Sequence, residues 1–105
     1  MSNKKPVMWI NVFTAKPGKL EELIAIQSKE LHHFKTKHIS GWLHSHFYRS
    51  EKDNKAIMMT AYDSVEAHQN FLYKNDFTEH LNKMEHLVEN AVGGYYTLVE
   101  HIKND

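Results

Sequence analysis

Nine histidines stand out in this chain of 105 residues: His32, His33, His38, His44, His46, His68, His80, His86 and His101. An imidazole titrates near neutrality, so a suitably placed histidine can act as a general base or bind a metal. Spacing sorts them. His32 and His33 are adjacent on a predicted helix, point in different directions and are expected to be solvated. His44 and His46 lie two apart on a predicted strand and are expected to share a face with Trp42 and Tyr48. A metal site needs a third ligand, which no spacing here supplies, so no metal is expected. The plainer reading of this pair is a half-polar sheet face at an interface. His80 falls on an apolar helical stripe with Phe77, Leu81 and Met84, and His68 sits beside Phe71 and Leu72. Each is either a satisfied core histidine or, facing a cavity, a general base. Asn11 interrupts an apolar strand face between Trp9 and Phe13. A buried amide is costly unless it is hydrogen-bonded. Asn11 therefore either bonds the backbone of a neighbouring loop or donates to a ligand oxygen that gathers negative charge.

Composition narrows the chemistry. Thirteen Lys and Arg balance thirteen Asp and Glu, so the basic excess of a nucleic-acid binder is missing. Cysteine is absent, which excludes disulfides, iron–sulfur clusters and thiolate zinc sites. No apolar run approaches the length of a membrane span. Met1–Lys5 carries two lysines with no apolar segment behind them and does not read as a signal peptide. The expectation is one cytoplasmic domain over residues 1–105 that binds neither nucleic acid nor membrane.

These residues need elements to position them. Val7–Ala15, rich in β-branched and aromatic residues, reads as a strand ending at the turn Lys16-Pro17-Gly18. Leu20, Leu23, Ile24, Gln27, Leu31 and Phe34 follow helical spacing up to the polar stretch Lys35–Ser40, and Gly41 breaks the pattern. Trp42–Ser50 and Ala56–Tyr62 read as a hairpin. Asp63 with Glu66, and Asp76 with Glu79, read as two helix caps. The first predicts a short helix over Ser64–Tyr73. The second predicts a longer one with Phe77, His80, Leu81, Met84, Val88 and Ala91 on one face, stopped by Gly93-Gly94. Tyr95–Ile102 is the expected last strand, opened by Tyr95 and Tyr96 on opposite faces. The order is ferredoxin-like α+β, β-α-β-β-α-β with the second helix split. Helices cover only one face of such a sheet. Yet strand one is apolar on both alternations, with Val7, Trp9 and Phe13 against Met8, Ile10 and Val12. A second copy packed on the open face accounts for this; the alternative is a monomer with some exposed apolar residues.

Three stretches resemble the antibiotic biosynthesis monooxygenase family. Ile10-Asn11-Val12-Phe13 followed by Pro17-Gly18-Lys19-Leu20-Glu21-Glu22-Leu23 is similar to its first strand and helix entry. Gly41-Trp42-Leu43-His44-Ser45-His46-Phe47-Tyr48-Arg49-Ser50 is similar to its second strand. Ala61-Tyr62-Asp63-Ser64-Val65-Glu66-Ala67-His68 is similar to its third strand and capped helix, where the family usually has Trp in place of Tyr62. The resemblance implies a dimeric α+β barrel, with the sheets of a homodimer face to face. It also implies several chemistries. One is cofactor-free monooxygenation of a small phenolic or quinol-like aromatic substrate. In that reading His80 or His68 is the base, and Asn11 and Tyr62 hold the developing oxyanion. Trp9, Phe13, Phe71, Phe77 and Met84 would line the substrate pocket. Another is haem degradation, recognised by an Asn on strand one, a Trp on the middle helix and a His about three turns later. Asn11 fits the first position, but Phe71 and Leu81 occupy the other two. His80 is one residue early, about 100° around the helix, so weak haem binding or none is expected. A binder or sensor without catalysis is the remaining alternative.

Overall fold

The computed structural model describes residues 6–104, the side chains of Asn75 and Asp76 excepted. The Met1–Lys5 segment, expected not to be a signal peptide, lies outside the described residues. Four strands and three helices follow in the order β1 (Val7–Ala15), α1 (Leu20–Thr36), β2 (Trp42–Arg49), β3 (Lys55–Tyr62), α2 (Val65–Leu72), α3 (Asn75–Met84) and β4 (Val88–Tyr96). The sheet order is β2-β3-β1-β4, with every neighbouring pair antiparallel. This is the expected ferredoxin-like fold with its second helix split in two. No helix among the described residues is long and apolar enough to cross a membrane.

The split helix differs from expectation in its details. The cap of α2 is Ser64, whose Oγ accepts from Ala67 N–H at 3.1 Å, and not Asp63. Asp63 instead receives the Ser64 hydroxyl at 3.2 Å, while its own N–H donates to the Gly41 carbonyl at 2.8 Å. Gly41 has φ +82°, and a Cβ there would meet Ala67 Cβ at 2.5 Å, so this turn requires glycine twice over. At α3 the cap position is Lys74, two residues before the Asp76 expected there, and the Asp76 side chain lies outside the described residues.

The larger correction is at the C-terminal end. α3 stops at Met84, so Val88 and Ala91 belong to β4 and not to a helix. Gly93-Gly94 lies inside that strand, and Tyr95 and Tyr96 close it instead of opening a later one. Residues 97–104 have no regular structure.

Pairing sorts the side chains into rows across the sheet. One face carries Ser45–Thr60–Trp9–Tyr95 and Phe47–Met58–Asn11–Gly93, and lies under the helices. The other carries His46–Met59–Ile10–Gly94 and Tyr48–Ile57–Val12–Val92. A register shift between Trp42 and His44 inserts Leu43 as an extra residue. Trp42 consequently lies on the helix side, separated from His44, His46 and Tyr48, whose face it was expected to share.

On the helix side the densest packing is at one end of the sheet. Ala15, Leu23, Ala56, Met84 and Leu87 are buried together there, with Phe13, Leu20 and Phe47 against them. Asn54 ties the hairpin to this end through its amide, which donates to the Ala15 carbonyl at 2.6 Å. Towards the other end of β1 the side chains leave a space open.

Candidate active site

That space is a cavity of about 140 Å3 between the sheet and all three helices. β1 supplies Trp9, Asn11 and Phe13, and β3 supplies Met58, Thr60 and Tyr62. The helices add His68, Phe71, Phe77, His80 and Met84. All nine residues singled out from the sequence therefore line one cavity. Gln27, Leu31 and Phe34 from α1, Trp42 and Ser45 from β2, and the half-exposed Leu81 complete much of the wall.

The two histidines sit in different surroundings. His68 is 3% exposed, and its Nδ1 lies 2.8 Å from the Tyr95 hydroxyl. Trp9 stacks on its ring at 4.5 Å, and Tyr62 lies 5.0 Å away between ring centroids. His80 is 5% exposed, and its Nε2 lies 2.7 Å from Gln27 Oε1. An amide oxygen only accepts, so the ring hydrogen sits on Nε2 and Nδ1 keeps its lone pair. That Nδ1 is buried and has no partner. Phe34 meets the His80 ring edge-on.

Asn11 is the second orphan. Its Oδ1 is buried without a partner. The row it occupies explains why: its neighbours on the same face are Met58 and Gly93, neither of which offers a hydrogen. No bond to a loop backbone relieves it. The orphaned atom is the amide oxygen, an acceptor, where the sequence suggested a donor.

Burial sets the charge states. Desolvation pushes the His68 pKa below 6.5. It does the same to His80, opposed by the nearby Glu30 carboxylate and reinforced by Lys83. Desolvation, with the neighbouring Tyr95 second, raises the Tyr62 phenol above its ordinary value. Burial also raises Tyr95. At neutral pH the cavity wall thus carries two neutral imidazoles and the protonated Tyr62 phenol.

Sequence reasoning missed part of the wall. Trp42 Nε1 donates to Ser45 Oγ at 2.9 Å, and Ser45 Oγ shares a hydrogen with Thr60 Oγ1 at 2.9 Å. The bulge at Leu43 creates this chain, and no residue pattern announces it. Gln27 did carry a signal, as a polar residue on the buried stripe Leu23, Gln27, Glu30 and Phe34. His44 and His46 face away from the cavity on the open sheet face, with ring centroids 5.2 Å apart. Among the described residues no three metal-ligating side chains cluster.

The model of a family described as antibiotic biosynthesis monooxygenase matches residues 6–83. No curated protein matches the chain. Solved structures do. PA3566 from Pseudomonas aeruginosa superposes with a TM-score of 0.81 at 17% identity, covering 95% of this chain and 100% of that one. SnoaB, a cofactor-independent oxygenase from Streptomyces nogalater, gives 0.81 at 19% identity, with 95% and 99% covered. A conserved protein from Methanosarcina mazei gives 0.76 at 11% identity, with 90% and 93% covered. At these identities the likeness is one of fold.

Proposed function

Because the chain belongs to the antibiotic biosynthesis monooxygenase family, we propose that its cavity oxidises an electron-rich phenol or quinol with dioxygen and without a cofactor. One observation carries this reading. An aromatic-walled cavity holds two buried acceptors with no partner, Asn11 Oδ1 and His80 Nδ1. Orphaned buried acceptors are uncommon and favour a ligand that brings hydrogens. A flat ring bearing hydroxyls meets both demands. An engineered apolar cavity of about 150 Å3 takes up benzene, so the 140 Å3 here suits a single aromatic ring. SnoaB, which shares the fold, is a cofactor-independent oxygenase, and this is consistent with the proposed class of reaction.

In this proposal His80 Nδ1 takes the phenolic proton, in a site where exclusion of water leaves the phenolate reactive. The phenolate passes one electron to dioxygen. The ring radical and superoxide then join at a hydrogen-bearing carbon ortho or para to the oxygen, forming a C–O bond. The peroxide recovers the proton from His80. Loss of the ring hydrogen from that carbon to His80 then breaks the O–O bond. The carbon becomes a carbonyl, and the departing hydroxide takes the proton as water. Phenol plus dioxygen gives quinone plus water. The ring supplies all four electrons, so no flavin, metal or external reductant enters. Tyr62, kept protonated by burial, donates to the oxyanion, and Asn11 Oδ1 accepts from a second hydroxyl. His68, its Nδ1 engaged by Tyr95, serves the wall and not the proton transfer.

The active form in this proposal is a homodimer built on the open sheet face. Val92 is 62% exposed there and Tyr96 55%, beside Met8, Ile10, Val12 and Met59. An apolar sheet face of this extent is covered in a stable protein.

Oxygen uptake over a panel of hydroquinones and other single-ring phenols tests the function, with labelled dioxygen to show one oxygen atom entering the product. Uptake no faster than the buffer background across the panel would overturn it. Thermal stabilisation by the same compounds without uptake would instead identify a non-catalytic binder.

A further inference from the structure

We propose that Gln27 is a positioning residue for His80: by accepting the Nε2 hydrogen, it holds the ring in the tautomer that leaves Nδ1 with its lone pair and no protein partner. The catalytic meaning of this rests on the function proposed above; the tautomer does not.

A neutral imidazole has one donor and one acceptor nitrogen, and the bond made by one nitrogen decides the state of the other. In water both tautomers are available. Here Gln27 is 6% exposed and His80 5%, so the amide and the ring face each other with little water to compete. Their 2.7 Å contact joins α1 to α3. One turn further along both helices, Lys83 Nζ donates to Glu30 Oε1 at 2.9 Å. The two contacts form parallel rungs, Gln27–His80 and Glu30–Lys83, each three residues from the other on its helix. The second contact also joins α1 to α3, beside the first. The charged groups facing His80 are accordingly Glu30 from α1 and Lys83 from α3. A second observation points the same way. His80 Nδ1 has no protein partner although it is buried. A fold that merely needed to satisfy a core histidine would pair both nitrogens. This one pairs the nitrogen on the helix side and leaves the other for a ligand.

Long-range nitrogen–proton NMR of the histidine rings reads the tautomer directly, without substrate. His80 signals are assigned by their loss in His80→Gln. The wild type should show Nε2 protonated and Nδ1 bare at neutral pH. Gln27→Leu should give a mixture of tautomers and lower kcat by about tenfold or more, with KM nearly unchanged. Gln27→Glu keeps an acceptor, so it should keep the wild-type tautomer and most of kcat. Its negative charge should move the acid limb of the pH–rate profile upward. A wild-type His80 carrying its hydrogen on Nδ1 overturns the inference even in an active enzyme, and so does a Gln27→Leu spectrum identical to wild type. The expected tautomer in a protein that consumes no oxygen upholds the Gln27 contact and overturns the proposed reaction.

Discussion

The indole of Trp9 lies over Gly93, in the space that a Cβ on that residue would need. The two are diagonal neighbours on β1 and β4, since Trp9 pairs with Tyr95 and Asn11 pairs with Gly93. Glycine weakens a strand, so alanine there would ordinarily stabilise it. Here steric overlap decides the sign. Gly93→Ala pushes the indole off its seat and away from the His68 ring on which it stacks. The expected cost is about 1–3 kcal/mol, measured by urea denaturation with tryptophan fluorescence. An unchanged or raised midpoint would show that the indole moves freely.

Acid should destabilise the fold through its buried histidines. Both His68 and His80 have folded pKa values depressed below the ordinary 6.5 by desolvation. Above pH 6.5 each is neutral in both folded and unfolded states, and its contribution is fully present. Below that value the unfolded chain takes up protons first, and stability is lost as pH falls towards the depressed folded pKa. The slope approaches ~1.4 kcal/mol per pH unit for each histidine. Urea midpoints at pH 7, 6 and 5 should therefore fall, and His68→Phe should flatten the decline. Equal slopes in the variant and wild type would remove His68 as a cause.

The elements that were legible and those that were not differ in physical kind. β1, α1, β2 and β3 follow from local period and from turns such as Pro17-Gly18, because each pattern is set within one element. The end of α3 is different. Phe77, His80, Leu81, Met84, Val88 and Ala91 continue a helical spacing through a residue where the chain turns into β4. Gly93 and Gly94 look like a helix stop, yet they are strand residues over which Trp9 and Tyr96 fold their rings. That is cross-strand packing, invisible to a local window. The same divide runs through the cavity. Asn11 and His80 betray themselves as polar residues on apolar faces. The partnership of Gln27 with His80 depends on how α1 meets α3, and the Trp42–Ser45–Thr60 chain depends on a bulge.

The open sheet face predicts assembly. Its rows place Met59 between His46 and Ile10, and Ile57 between Tyr48 and Val12. Light scattering at micromolar concentration should give a species of twice the 12.4 kDa chain mass. Met59→Asp puts a charge in the middle of this face and should shift the species to monomer while the cavity remains formed. A clean monomer in the wild type would sink the dimer.

The last prediction separates two enzymes on one helix register. A haem-degrading protein must offer iron a free histidine nitrogen and give the porphyrin room. Sequence spacing set Leu81 at the ligand position and turned His80 away from it. The structure reverses the facing: His80 is buried in the cavity wall, and Leu81 is 51% exposed. Ligation is therefore decided by what surrounds His80. Its Nε2 is held by Gln27 at 2.7 Å. A space of about 140 Å3 does not admit a tetrapyrrole. Leu81 cannot ligate, and Phe71 brings no indole N–H. Haemin titrated into the protein should thus leave the Soret band at its free position. His80→Ala should behave like the wild type. Tight one-to-one binding that disappears in His80→Ala would mean that the helices part to admit the macrocycle. Haem degradation would then displace phenol oxidation as the leading reading.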